Sequence, residues 1–244
     1  MKGVILAAGV ASRLRPLTNN TPKCLLHVGQ KTILERTIDN LIDNGIDEVI
    51  IGIGYKEEMI RDFIKTSYPS LMIQYVFNEL YETTNNIYSL WLTREHLLDS
   101  GMVLMDSDII FDKQIINLLL NAGKENCLAV KSDHDLAEEE MKVFLSKNNK
   151  VEKISKGIDP KQAAGESMGI AKFSCSFVQL LFEIIDKNFL KKGRVNDFYE
   201  AAFQEAIDAG QEIFSIDVGK YQCIEIDTID DIKDAEQNVL PQLK

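Results

Sequence analysis

Between Val4 and Gly123 the chain alternates uninterrupted apolar runs with amphipathic stretches of helical period, and no other property restricts its fold as much. The runs Val4 to Ala7, "EVIIGIG", "LMIQYVF" and "MVLMDSDIIF" read as strands. After the first of them, "TILERTIDNLIDNG" places Ile33, Leu34, Thr37, Ile38, Leu41 and Ile42 along one helical face. Thr32 and Glu35 form a capping box at its start, and Gly45 stands where a helix terminates. "KEEMIRDFIKTS", "NNIYSLWLTREHLL" and "KQIINLLLNAG" supply three further helices. Strands that are apolar throughout, each followed by a helix, form a parallel sheet covered on both faces. Right-handed crossovers then predict a doubly wound, mostly parallel, Rossmann-like α/β sheet. Such sheets bind ligands at the carboxyl ends of their strands. That rule selects the loop after Ala7, the turn at Gly54 and Tyr55, and the segment from Asp106 to Asp108.

The second half changes character. "CLAVKSD", "MKVFLSK" and "VEKISK" are short strands, the last two joined by a turn at Asn148 and Asn149, and "MGIAKFS" is another. "FVQLLFEIIDKNF" and "FYEAAFQEAIDAG" are helices, and the strands "QEIFSIDV" and "YQCIEID" precede a polar helix from Asp230. Without a linker rich in proline, glycine or serine, the expectation is one domain over 1–244, with a β-rich portion inserted at 127–229 and a terminal helix at 230–244. A length of 244 residues with 45% hydrophobic content supports a large core. The longest apolar runs, such as "GVILAAGVA", are too short to span a membrane, and Arg13 and Arg15 follow too soon for a signal peptide. Cys24, Cys127, Cys175 and Cys223 lack paired spacing, which fits a reduced, cytoplasmic protein. A formal net charge of -11 argues against nucleic acid or anionic lipid as partner.

Against that acidity, "LAAGVASRLRPLTNNTPK" gathers Arg13, Arg15 and Lys23 around small residues. Backbone N–H groups beside small residues can approach phosphate oxygens, with Arg as a fork and Lys as a point charge. The loop is neither a Walker loop nor a dinucleotide-binding glycine triplet, since only Gly9 is present. On the residues alone, a solvated basic loop and an anion site are equally compatible with it. The order of its residues, however, resembles the signature of the nucleotidyltransferases that make nucleotide-activated sugars and alcohols: Leu-Ala-Ala-Gly, a small residue, Ser/Thr-Arg-Leu and a later Pro-Lys. Ala11 departs from that pattern, which usually has a second glycine there. The resemblance implies the sheet of nucleotide-diphospho-sugar transferases, with the nucleotide on 1–126 and the acceptor on 127–229. It implies nucleotide contacts at Leu6, Ala7, Ala8, Gly9, Ser12, Arg13, Gly54, Tyr55 and Asp106, with Lys23 and Arg13 catalytic.

In "MDSDIIFD", a regular strand would put Asp106 and Asp108 on one face. In "CIEIDTIDD", Glu225 and Asp227 share a face opposite Ile224 and Ile226. Each pair alone also reads as a turn cap or a wet strand face. The resemblance makes Asp108, Glu225 and Asp227 the ligands of Mg²⁺, a hard cation suited to carboxylates and phosphates. His27, His96 and His134 form no competing cluster and read as ordinary loop or helix residues.

"YETTNNIYSLW" resembles the segment of the branch acting on phosphocholine and related acceptors, which implies Asn85, Asn86 and Ser89 near the base; an Asn here also serves as an N-cap. "AAGESMGIAKFS" and "RVNDFYEAAF" match later blocks of that branch, implying acceptor contacts at Glu166, Asp197, Tyr199 and Glu200, with Lys142 meeting the acceptor's phosphate or phosphonate. Solvated surface acids are the plain alternative for Glu166 and Glu200. Phosphocholine enzymes of the branch cage the quaternary ammonium with tryptophan, whereas the single Trp91 here sits in a helix that reads as core. This tilts the expected acceptor toward a primary amine such as 2-aminoethylphosphonate. The expected function is Mg²⁺-dependent transfer of CMP from CTP to a small phosphorylated alcohol or phosphonate, with pyrophosphate released. A sugar-1-phosphate nucleotidyltransferase and a non-catalytic nucleotide sensor are the alternatives, and a homo-oligomer is compatible with all of them.

Overall fold

The computed structural model describes residues 1–132 and 136–243. Its first half contains β1 (Lys2–Ala7), the small hairpin β2 (His27–Val28) and β3 (Lys31–Thr32), α1 (Ile33–Asp43), β4 (Glu48–Ile53), α2 (Glu57–Ser67), β5 (Met72–Phe77), α3 (Asn86–Leu92), β6 (Met102–Asp106), β7 (Ile109–Phe111), α4 (Gln114–Asn121) and β8 (Cys127–Lys131). There follow β9 (Lys142–Leu145), β10 (Val151–Ser155), β11 (Gly165–Phe173), α5 (Cys175–Ile184), α6 (Glu200–Asp208), β12 (Phe214–Asp217), β13 (Cys223–Glu225) and α7 (Ile229–Asp234).

A nine-stranded sheet runs β10-β9-β11-β6-β1-β4-β5, with β8 joining β11 and β12 beside that path. β6, β1, β4 and β5 are mutually parallel, as the strand–helix alternation predicts. β11 pairs antiparallel with β6, β8 and β9, so the β-rich portion extends the same sheet instead of forming a separate layer. Side-chain alternation along β1 divides the core. Val4 and Leu6 enter a core built with α3, α5 and α6, while Ile5 and Ala7 enter one built with α1, α2 and α4. Burial on both faces is why β1, β4 and β6 carry no polar alternation, whereas β5, at the sheet edge, leaves Met72 and Phe77 exposed.

α1 begins with the capping box, the Glu35 N–H donating to Thr32 Oγ1 at 3.0 Å. Of the six residues expected on its buried face, only Ile42 turns to solvent. "MVLMDSDIIF" is not one strand: β6 ends at Asp106, a turn at Ser107 and Asp108 intervenes, and β7 departs to pair with β13. A third, smaller core joins Leu14 and Ile33 to Ile110, Ile226, Ala235 and Val239, seating the C-terminal segment under the signature loop. Among the described residues no helix is long and apolar enough to cross a membrane. His27 begins β2, His96 ends a short 3-10 turn, and His134 lies outside the described residues.

Candidate active site

A cavity of about 450 Å³ opens at the carboxyl ends of β1 and β6, with Leu6, Ala7, Ala8 and Gly9 in its wall. The chain leaves β1 through a short turn in which Ala11 adopts the left-handed conformation (φ 47°, ψ 53°), the position where the signature it resembles is expected to have glycine. The loop is braced from both sides. Thr18 Oγ1 donates to the Ala11 carbonyl at 2.9 Å, and the Tyr55 hydroxyl lies 2.9 and 2.8 Å from the carbonyl oxygens of Thr18 and Asn19. The Tyr55 N–H donates to the Ala8 carbonyl at 3.0 Å. A Cβ on Gly54 would come within 2.7 Å of that same carbonyl oxygen, so this close approach requires glycine. Tyr55 and Gly54 thus support the loop from outside the cavity lining, and Ser12 also lies outside that lining.

Lys23 and Arg13 reach the same cavity, where both meet acids. Lys23 Nζ donates to Asp108 Oδ2 at 2.7 Å and to Asp227 Oδ1 at 2.8 Å, and Arg13 pairs with Asp227 Oδ2 at 2.6 Å. Burial works against the Lys23 charge, but the two aspartates outweigh it and hold the ammonium above the usual lysine value. Burial likewise works to raise Asp227, and Lys23 and Arg13 overcome it, keeping that carboxyl below its ordinary range. Glu225 keeps part of its surface in solvent at the mouth, yet loss of hydration at the carboxyl, followed by the charges of Asp108 and Asp227, pushes it up to about 8.

Ligand oxygens of Asp108, Glu225 and Asp227 all lie within 4.8 Å of one another. Asp108 Oδ1 is buried and has no hydrogen-bond partner among the described residues. An all-carboxylate donor set with one orphaned oxygen fits a hard divalent cation such as Mg²⁺.

The break at Ser107 separates the two acids expected on one strand face. Asp106 faces the start of α6, where the Tyr199 hydroxyl donates to its Oδ2 at 2.8 Å. Burial, then the nearby charges of Asp108 and Glu200, hold its carboxyl well above the usual range. Gly169 (φ +62°) lies against it, and a Cβ there would come within 2.5 Å of Asp106 Oδ2. Glu200, at the start of α6, is 6% exposed and lines the cavity; its Oε2 is buried without a partner among the described residues, and burial pushes the carboxyl up to about 7.

Asn85, Asn86 and Ser89 line the opposite wall. Asn85 caps α3 by accepting from the Asn86 N–H at 2.7 Å, Asn86 Oδ1 accepts from the Tyr199 N–H at 2.9 Å, and Ser89 Oγ accepts from Asn78 Nδ2 at 3.0 Å. Glu166 also lines the cavity, but three expected acceptor residues stand outside the lining. Tyr199 is buried behind Asp106, Asp197 pairs with Arg194 at 2.6 Å, and the Lys142 ammonium is bound by backbone carbonyls. The lining instead contains Tyr81, Lys156 and Phe198, which the sequence reading missed. Lys156 Nζ lies 4.7 Å from the Phe198 ring centroid. Phe198 and Tyr199 are adjacent in the turn before α6, where Phe198 lines the cavity and Tyr199 is buried. Trp91 is half-buried away from the cavity, with Tyr88 stacked at 5.8 Å and Arg94 over its ring at 3.7 Å.

A family model described as nucleotidyl transferase matches residues 2–240. The choline-phosphate cytidylyltransferase of Streptococcus pneumoniae is 44% identical over 107 residues, which are 44% of this chain and 45% of that protein. The CMP-5'-(3-aminopropyl)phosphonate synthase of Streptomyces rubellomurinus is 33% identical over 129 residues, 53% of this chain and 20% of that one. The chain thus spans less than half the length of these two curated relatives. Among solved structures, a CTP:phosphocholine cytidylyltransferase from Streptococcus pneumoniae superposes with a TM-score of 0.80 at 28% identity, covering 97% of both chains.

Proposed function

The chain belongs to the nucleotidyl transferase family, and from that premise we propose that it transfers CMP from CTP to a small acceptor bearing a phosphate or phosphonate and a cationic amine, releasing pyrophosphate. The observation that carries this reading is the convergence of Lys23, Arg13 and three carboxylates beside the backbone turn after β1. An acceptor oxygen attacks the α-phosphorus of CTP while the bond to the pyrophosphate breaks in line. That oxygen is already anionic near neutrality, so the residues must bring two anions together rather than remove a proton. Arg13 and the Ala8–Gly9 backbone take the pyrophosphate side, and Lys23 exchanges a carboxylate partner for the α-phosphate or the acceptor oxygen. Asp108, Glu225 and Asp227 would hold Mg²⁺, which when bound supplies charge neutralisation at the phosphates.

The nucleotide occupies the half formed by 1–126, with Asn85, Asn86 and Ser89 at its base. The acceptor occupies the half formed by 127–229. There Glu166 and Glu200 give an acidic wall, Phe198 an aromatic face, and Lys156 a cation for the acceptor's anionic end. This acidic wall favours an amine over a neutral hexose, and the position of Trp91 away from the cavity favours a primary amine over a quaternary ammonium. The four free cysteines support a reducing compartment, the cytoplasm.

Pyrophosphate release with Mg²⁺, measured for CTP, UTP, dTTP and GTP against phosphocholine, 2-aminoethylphosphonate and glucose-1-phosphate, tests the reading. Release with CTP and an amine-bearing acceptor, abolished by chelator, is expected. Release confined to UTP or dTTP with glucose-1-phosphate would identify a sugar nucleotidyltransferase. No release with any pair would leave a nucleotide sensor.

A further inference from the structure

Lys142 opens β9, is fully buried, and directs its ammonium back along its own chain. Nζ donates to the carbonyls of Ala137 at 3.0 Å, Glu138 at 2.8 Å and Glu140 at 3.0 Å. A lysine ammonium has three donors and no acceptor, so three carbonyls match its hydrogen-bonding capacity. A buried ammonium is costly unless satisfied in this way.

The carbonyls belong to 136–141, a segment without helix or strand. The segment is also held within itself, where the Ala137 N–H donates to Glu140 Oε2 at 2.9 Å, and at its end by β11, where the Ser167 N–H donates to the Met141 carbonyl at 2.7 Å. Yet Glu139, Glu140 and Met141 form part of the cavity wall, on the side of Glu166 and Met168. The shape of that wall therefore depends on what fixes an otherwise irregular stretch, and the buried ammonium is the group that binds three of its carbonyls together.

We propose that Lys142 is a positioning residue for acceptor selection: its ammonium fixes residues 137–140 in the conformation that presents Glu139, Glu140 and Met141 to the acceptor, without itself touching the acceptor. The identity of the acceptor rests on the function proposed above; the fixing of the segment does not. Arg is not a conservative replacement, because a planar guanidinium fork cannot reproduce a pyramidal set of three donors. Met fills similar volume and offers no donor.

The test uses the full chain carrying Lys142→Met or Lys142→Arg, with steady-state kinetics in CTP and acceptor and amide hydrogen exchange of peptides covering 136–141. In Lys142→Met the acceptor KM is expected to rise about 10- to 100-fold, the CTP KM to stay within about twofold, and exchange at 136–141 to accelerate. An equal rise in both KM values would overturn the proposal, as would unchanged exchange or faster exchange with an unchanged acceptor KM. If circular dichroism shows Lys142→Met unfolded, Lys142→Arg, which keeps the charge, is held to the same outcomes. If the wild-type chain transfers to no acceptor, the function proposed above fails, while exchange at 136–141 in the variants still decides whether Lys142 fixes the segment.

Discussion

The Tyr199 hydroxyl donates to Asp106 Oδ2 at 2.8 Å, tying the start of α6 to the end of β6 across the cavity floor. Tyr199 is 2% exposed, so no solvent stands ready to replace the bond. Tyr199→Phe leaves a recessed carboxyl without its donor, and a loss of about 1–3 kcal/mol is expected in urea unfolding at neutral pH. An unchanged midpoint would show that the bond contributes nothing to stability.

Lys23 is the common partner of Asp108 and Asp227. Under the proposed function, Lys23→Ala removes the cation that must meet phosphate, and pyrophosphate release from CTP should fall by about 100-fold or more. Circular dichroism should remain native, because the side chain sits at a cavity wall and not in one of the cores. Near-normal turnover would remove Lys23 from the mechanism.

Glu200 makes stability depend on pH. Its carboxyl rises from 4.5 to about 7 on folding because burial disfavours the charged form. The folded state therefore holds the proton more tightly, so this contribution is complete below about pH 4.5 and is lost as pH climbs through 7. Up to about 3 kcal/mol is at stake over that interval. Glu200→Gln should flatten the decline in urea midpoint of the metal-free protein between pH 5 and pH 8 (about the range over which Glu200 titrates). If the variant declines as steeply as the wild type, the dependence lies elsewhere.

Ala11 holds a left-handed conformation that costs a residue with a Cβ roughly 1–2 kcal/mol and glycine almost nothing. Part of that gain is lost to the greater freedom of glycine in the unfolded chain. Ala11→Gly should nonetheless raise the melting temperature by about 3 °C. A lower melting temperature would mean that the turn carries no such strain.

The parallel half was legible because its signals are local. Apolar runs, helical periods and the Thr32–Glu35 capping box each lie within a few residues of the structure they specify. The three carboxylates were legible from the ordered signature rather than from spacing. The turn between β6 and β7 was hidden because apolar residues continue on both sides of Ser107, and only the pairing of β7 with β13 diverts the chain. The wall proposed for the acceptor was least legible. Lys142 and Lys156 are both lysines at strand termini, and whether such an ammonium meets backbone or cavity depends on packing from distant elements. Phe198 and Tyr199 are adjacent aromatic residues ahead of α6, and only packing decides which ring is buried.

The hydrogen bond between Lys23 and Asp227 joins positions 204 residues apart. A chain emerging from the ribosome N-terminus first completes the parallel strands and the signature loop while Glu225 and Asp227 are still unmade. A nascent chain ending before Cys223 has Asp108 alone of the three carboxylates and nothing to place on Lys23 from the other side. Under the proposed function, catalytic competence thereby waits until the chain has been made through Asp227, and Ala235 and Val239, which join the core with Leu14 and Ile33, follow it.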